Sequence, residues 1–319
     1  MAFVPLRAQA EDRGSWKERA EIAFAARNVG ADVAIHLFAD AAMMALTAGP
    51  PLPCPVVPLL FRPRAHYPDA FGSRLTTSER RKARLYETTL ALWRRRPDAR
   101  AVLTFDEVAA RRWAARSGAP AYWLPEAPVP DVVPSGEPVT ADCVVFGRLA
   151  QRKGLDQLAA AVALEPTDLR VRLVGEVDPR YRRSLELGVE RMQGAGAQVV
   201  LEDERVTEEQ GLRALRSSRC VVAAYPRHFG SSRVVLEAAA VGTPVIAEDF
   251  GLMGHQVRTY RLGVAIRCGD PGALRNAIYS VCRGDPEHSA RAGDLRSFAQ
   301  RYDWESFARA VRAAAIGHM

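Results

Sequence analysis

Short, nearly continuous apolar runs alternate along the chain with longer segments in which apolar residues recur about every third or fourth position. The first kind reads as strands covered on both faces, the second as amphipathic helices. AFVPL is strand-like, a polar loop runs to Gly14, and SWKERAEIAFAARNV predicts a helix over 15–29. ADVAIHLF (31–38) follows as a strand, DAAMMALTA as a helix, and PVVPLLF (55–61) as a strand despite its prolines. Residues 76–96 form a long basic helix, AVLTF (101–105) a strand, and DEVAARRWAARSG a helix closed by glycine.

Proline then breaks the pattern. PEAPVPDVVPSGEPVTAD (125–142) reads as an interdomain linker. Beyond it the alternation restarts with strands CVVFG, LRVRLVG, AQVVLE, CVVAAY, TPVIAE and GVAIR. The helices between and after them are predicted at 155–163, 179–193, 207–217, 231–241 and 271–283. Strand–helix alternation of this pitch predicts an α/β chain of two parallel sheets wrapped by helices. The domains fall at 1–130 and 142–298, with a linker at 131–141 and a terminal helix within 299–319. Open sheets of this kind bind ligands at the carboxyl ends of their strands, here expected to face an interdomain cleft.

Composition narrows the class. The 319 residues are 48% apolar and 25% charged, as in an ordinary globular protein. No apolar run reaches the ~20 residues that span a bilayer, and MAFVPLRAQAEDRG lacks the pattern of a signal peptide. Five scattered cysteines with no C-x-x-C pair argue against a disulfide framework or a zinc site. A reducing, cytoplasmic setting is the expectation. The net charge of +7 is uneven, with nine basic residues against three acidic ones between Arg74 and Arg100. That patch is either a solvated helix face or a contact for an anionic membrane surface. It lacks the interleaved aromatics that stack bases, so nucleic acid is not an expected partner.

The stretch RHFGSSRVVLEAAAVGTPVIA (227–247) carries candidate chemistry. Gly230, Ser231 and Ser232 open a helix after a strand, and unpaired amides at such an N-terminus favour an anion. Glu237 lies about one and a half turns further on, suited to accept from a ribose diol, although Arg233 at i−4 could simply pair with it. CVVFGRLAQRKGLDQLAAAV (143–162) adds Arg148 just past a strand and Lys153 just before a helix. Lysine is rare here, standing only at 17, 82 and 153 among 44 basic residues. An arginine fork and a mobile ammonium at one strand end suit a diphosphate.

These two stretches resemble glycosyltransferase family 4. GRLAQRKG (147–154) matches its G-R-L-x-x-x-K-G, and EAAAVGTPVIA (237–247) its E-A-x-A-x-G-x-P-V-I-A. DFGLMG stands where the family has a glycine-rich loop, GVAIRCGD (263–270) where it has a G-x-x-v-x-x-x-D step, and RYDWESFARAVRAA resembles its closing helix. The resemblance covers about 143–312 and implies GT-B architecture, two Rossmann-like domains facing across a cleft. It further implies retaining transfer from a nucleotide sugar without a metal or other cofactor. By position, Arg148 and Lys153 would stabilise the leaving diphosphate, Glu237 would hold the ribose, and Gly230, Ser231 and Ser232 would offer amides. Gly14 would let the first domain approach the donor, and the closing helix would return to that domain.

One position departs from the family: its first glutamate would fall at 229, and Phe229 stands there. His228 and Phe229 then become the sugar-side candidates. The departure keeps open a nucleotide-binding module without turnover, beside a second enzyme reading as a nucleotide-sugar epimerase. His66, in FRPRAHYPDAF beside Arg62 and Arg64, is a catalytic candidate on the acceptor side. His36 ends a strand there too, and Asp106 is either a helix cap or a site residue. The acceptor, whether glycan, lipid-linked or small, is not written in the sequence.

Overall fold

The computed structural model describes residues 16–63, 75–130, 138–267, 269–285 and 292–317. The strand AFVPL, Gly14, Arg64, His66, Arg74 and most of the expected linker lie outside the described residues. The chain forms two units. Pro128–His228 and Ser232–Tyr302 make the second, while the described parts of Met1–Ala127 and Asp303–Met319, with Phe229–Ser231, make the first. Among the described residues no helix is long and apolar enough to cross a membrane.

Four parallel strands form the first unit's sheet in the order β1 (Ala34–His36), β2 (Val56–Leu60), β3 (Val102–Thr104) and β4 (Ala121–Trp123). Strand β2 shows how it is covered. Val56 and Leu60 pack with Leu46, Leu90, Trp93 and Trp113, from helices α2 (Met43–Ala48), α3 (Thr77–Trp93) and α4 (Glu107–Ala114). Val57 and Leu59 point the other way, towards Leu103, Leu124 and the small residues Ala310 and Ala314 of the closing helix α12 (Trp304–Ile316). Pro58 has no N–H to give, and pairing on this side of β2 is interrupted there: Val56 bridges Ala99, and the β2–β3 ladder runs from Leu59. Helix α1 (Trp16–Val29) lies on this unit through Ile22 and Ala26.

The strand expected over 31–38 is shorter. It ends at His36 because Phe38 takes a left-handed backbone, φ 60°, and turns the chain. His36 itself is buried with Nε2 3.2 Å from Glu18 Oε1, so it packs the interior rather than facing a ligand. Burial lowers its pKa, against the pull of Glu18. Asp106 resolves as a cap, its Oδ1 accepting from Val108 and Ala109 N–H at 3.0 and 2.9 Å.

Six parallel strands form the second sheet: β5 (Ala141–Phe146), β6 (Arg170–Val174), β7 (Gln198–Glu202), β8 (Ser218–Ala223), β9 (Val245–Glu248) and β10 (Gly263–Ile266). Their order is β10-β9-β8-β5-β6-β7. From β5 the chain winds outward through β6 and β7, then returns to lay β8 on the opposite side of β5. Crossing segments include α5 (Leu155–Val162), α6 (Arg182–Gly194), α7 (Glu208–Arg216), α8 (Arg233–Val241) and α9 (Gly251–Thr259), and α10 (Pro271–Arg283) and α11 (Ala292–Ala299) follow the last strand. Leu158, Leu173, Val222, Ile246 and Ile278 are among the residues of its continuous core. The doubly wound order leaves a switch point between β5 and β8, and crevices outside such points are where open α/β sheets take ligands.

DFGLMG is not a loop. Gly251 begins α9, and Gly254 lies inside it because a Cβ there would come within 2.6 Å of the Glu248 carbonyl oxygen. The glycine serves helix-to-strand packing, not flexibility.

Candidate functional site

Four sequence candidates, Arg148, Lys153, Ser232 and Glu237, lie on the segments that leave β5 and β8, on either side of the switch point. Past β5, Gly147 and Arg148 lead to a 3-10 turn, Gln151–Lys153, and to α5. Gly154 joins the turn to the helix at φ 72°, and a Cβ there would overlap the Ala224 carbonyl oxygen at 2.1 Å. Only glycine lets this turn lie against the end of β8.

That close approach fixes Lys153. The residue is buried at 5% exposure; its Nζ donates to Phe146 O at 2.9 Å and to Tyr225 Oη at 2.7 Å. The ammonium also stands 4.6 Å from the Tyr225 ring centroid. Arg148 takes a different partner, with Nη2 3.4 Å from Asp178 Oδ2 and most of its side chain exposed. It lines a cavity of about 460 Å³ with Arg152, Arg180, Asp178 and Tyr181. Three guanidinium side chains around one carboxylate make this cavity favourable to anions. Lys153 and Arg148 therefore flank the end of β5 with separate protein partners.

Helix α8 starts with Ser232 as N-cap, and the serine side chain makes no bond to the helix amides. Gly230, buried, and Ser231, half-buried, precede it in the chain. Glu237 is 8% exposed, and burial raises its pKa while Arg233 pulls it down. Lys153 also acts on it in the lowering direction, which places the two charges within reach of each other's field. Arg233 does pair with Glu237, Nε to Oε1 at 3.2 Å, and it also donates to Glu208 Oε1 at 3.0 Å. Its guanidinium is thus shared between two carboxylates and is not spent on Glu237 alone.

His228 packs edge-on to Tyr225 with centroids 5.8 Å apart, and its N–H donates to Tyr225 O at 3.3 Å. Phe229 is half-buried. Gly14 and His66 fall outside the described residues. Among the described residues, no three histidine, cysteine or carboxylate side chains gather as a metal set.

Two residues missed from sequence shape this end of the sheet. Tyr225, just past β8, accepts from Lys153. Glu248, the last residue of β9, is buried and accepts from three segments: Gln157 Nε2 at 3.1 Å, Arg227 N–H at 2.8 Å and Gly269 N–H at 3.2 Å. Arg227 is left-handed, φ 49°, with its guanidinium over the Phe250 ring at 4.6 Å. Glu248 thereby pins the entry to the His228–Ser232 loop. The available signal was positional: both residues stand at the carboxyl end of an apolar run, where binding residues of open sheets gather.

The basic stretch Arg74–Arg100 is divided by the structure. Arg94 donates to Ala119 O and Arg116 O, and Arg96 to Thr47 O, Gly49 O and Asp98. Arg100 donates to the last carbonyls of α12. These three serve the first unit's own fold. What remains outward is Arg80, Arg81, Lys82 and Arg84 on α3, with Arg95 just beyond it.

Residues 140–283 match the Glycosyl transferases group 1 family. A D-inositol 3-phosphate glycosyltransferase from Nocardioides sp. is 30% identical over 54% of this chain and 41% of its own. A phosphatidyl-myo-inositol mannosyltransferase from Mycobacterium leprae is 29% identical over 63% of this chain and 55% of its own. The chain spans about half the length of these curated relatives. The Anabaena protein HepE, solved in complex with UDP and separately with UDP-glucose, has a TM-score of 0.67 in both comparisons. In the UDP complex the likeness covers 93% of this chain and 81% of HepE at 17% identity, a likeness of fold.

Proposed function

We propose that this chain, which has the GT-B fold and matches the glycosyl transferases group 1 family over residues 140–283, transfers a sugar from a nucleoside-diphosphate sugar to an acceptor hydroxyl. The observation that carries this reading is that the β5/β8 switch point has buried Lys153 on one side and, on the other, buried Glu237 and the start of α8, where the N-cap Ser232 side chain makes no bond to the helix amides. In this reading the diphosphate takes the α8 amides and the cations, and the ribose diol donates to Glu237. Lys153 exchanges its Phe146 and Tyr225 acceptors for phosphate oxygens, and Arg148 leaves Asp178 to do the same. Charge that grows on the departing diphosphate then meets two cations already in place, which is where electrostatic catalysis acts. Transfer proceeds with retention and needs no metal, since the two cations neutralise the leaving group.

The relatives' names point to inositol phosphates, free or lipid-borne, as what those proteins act on. We carry over only the class, a polyhydroxylated acceptor. The outward basic face of α3 supports an anionic membrane surface as the place where it is met.

Calorimetric titration with UDP, GDP, ADP, CDP and dTDP tests the reading. One diphosphate binds tightly to the wild type and at least tenfold more weakly, about 1.4 kcal/mol, to Glu237→Ala. If none binds, the reading fails. Phe229 favours a second reading, a nucleotide-binding module without turnover. Binding with no release of sugar from the matching nucleotide sugar, with or without acceptor, selects it, and interconversion of the donor sugar without transfer selects an epimerase.

A further inference from the structure

Outside the donor site, the carboxyl end of the first sheet carries a row of aromatic rings. Phe38 follows β1 by two residues, and Phe61 and Phe105 immediately follow β2 and β3. Phe38 lies flat on Phe61, centroids 4.2 Å apart and planes within 9°. Phe61 meets Phe105 edge-on at 4.6 Å, and the Trp123 indole N–H at the end of β4 donates to Phe105 O at 3.2 Å. The arrangement is fixed from beneath. Asp40 accepts from the Phe61 and Arg62 N–H groups at 2.7 and 2.9 Å, locking the loop after β1 to the loop after β2.

Two features set Phe38 apart from a packing residue. Its backbone is left-handed at φ 60°, a conformation that asparagine or glycine takes far more readily than an aromatic residue. Its side chain is also 55% exposed, so the strain does not deliver the ring to a core. The turn after β1 needs the left-handed backbone but not an exposed aromatic ring on it; strained positions gather where ligands are held, and the carboxyl edge of a parallel sheet is where such ligands sit.

We propose that the Phe38–Phe61 stack is a platform for a six-membered sugar ring of the acceptor, laid with its apolar C–H face on the open side of Phe38. The proposal rests on the glycosyltransferase reading. A pyranose presents ring C–H bonds on one face and hydroxyls at its rim. Those C–H hydrogens suit the negative face of an aromatic ring, and the rim stays in reach of water and polar neighbours. Phe38 offers one exposed ring face, beside the polar Asp40–Arg62 lock. That fits a ring better than an acyl chain, which needs a longer apolar groove. The sugar is either a free saccharide or the headgroup of a glycolipid.

Saturation-transfer NMR on the full chain tests this, with methyl α-D-mannopyranoside, methyl α-D-glucopyranoside and octyl β-D-glucopyranoside as probes, with and without the diphosphate that binds. Ring C–H protons of at least one probe receive transfer. In Phe38→Asn, which keeps the left-handed turn, the transfer falls at least fivefold, while Phe38→Trp retains it. Diphosphate affinity stays unchanged in both variants, and circular dichroism shows both folded at the temperature of the measurement. Response to the methyl glycosides identifies a free saccharide, and ring transfer from the octyl glycoside alone identifies a lipid headgroup. The proposal is overturned if no probe receives ring transfer, if Phe38→Asn leaves it intact, or if transfer goes to the octyl chain or to the nucleotide base instead. Failure of every diphosphate to bind the wild type overturns the donor reading, and the sugar signals report on the platform separately.

Discussion

Burial works against the carboxylate of Glu237, and Arg233, shared with Glu208, offsets that only in part. An acid with a raised folded pKa binds more protons in the folded than in the unfolded chain through the window between its two values. Stability therefore falls as pH rises through that window. Below the ordinary glutamate range both forms are protonated and the penalty vanishes. Glu237→Gln is accordingly expected to be more stable than the wild type at about pH 8, within about 1 kcal/mol, and to lose this advantage towards about pH 4. The same variant loses diphosphate affinity. Urea unfolding across pH, read beside calorimetry, checks both halves; a variant less stable than the wild type at high pH would make Glu237 a structural ion-pair partner instead. Glu248 is the opposite case, with every contact internal. Its two oxygens receive three N–H groups, whereas the amide of Glu248→Gln must turn its own N–H towards one of them. A loss of about 1–3 kcal/mol follows, with diphosphate binding weakened as the 227–232 loop loosens. An unchanged urea midpoint and unchanged affinity would remove Glu248 from that role.

At the level of elements, the basic stretch after Arg74 shows what a charge count conceals. Arg96 and Asp98 form a buried clamp: the Arg96 Nε and Nη2 groups donate to the two oxygens at 2.8 and 3.2 Å, and Leu52 N–H adds a bond at 2.8 Å. Burial alone would raise Asp98, but the bonds from Arg96 and Leu52 outweigh it and hold the carboxyl below the ordinary aspartate range. This stabilisation is present above the unfolded value and is lost as pH falls through the depressed folded one. Asp98→Ala leaves a largely buried guanidinium short of its partner, and a loss of about 3–5 kcal/mol in urea unfolding is expected. Helix α3 itself starts in a capping box, Thr76 with Glu79, and turns Leu85 and Leu92, each 55% exposed, to one face among Arg81, Arg84 and Arg95. That face predicts binding to anionic vesicles but not zwitterionic ones, with about 1 kcal/mol contributed by each arginine near the surface. Neutralising Arg80, Arg81 and Arg84 abolishes co-sedimentation with anionic vesicles; retention in the triple variant would return the face to solvent. The elements most legible in the sequence were those of residues 143–283, because central parallel strands are apolar throughout and bounded by glycine or a cap. Three-residue β4 was missed, since Ala121–Trp123 is too short to show a period. Helix α9 was expected as a loop from the family resemblance alone, and Gly254 within it answers instead to the end of the neighbouring strand β9.

For the molecule as a whole, the placement of Arg148, Lys153, Ser232 and Glu237 past β5 and β8 was legible because spacing along one chain fixes which strand ends they reach. The aromatic row of the first sheet was not, since Phe38, Phe61 and Phe105 meet only when three separate strand ends are aligned. The two units also have cores of their own, and multidomain chains commonly depart from a single two-state transition. The sequence supplies a means to watch them separately. All five tryptophans, at 16, 93, 113, 123 and 304, belong to the first unit, and the second has none. Tryptophan fluorescence thus follows the first unit, while far-ultraviolet circular dichroism follows both. A ligand held entirely by the second unit stabilises that unit alone, by about 2.7 kcal/mol at one hundred times its dissociation constant. The matching diphosphate is therefore expected to move a circular-dichroism transition to higher urea without moving the tryptophan transition, and Glu237→Ala removes the shift. Equal movement of both signals would mean that the diphosphate is also held by the first unit, or that the units unfold as one.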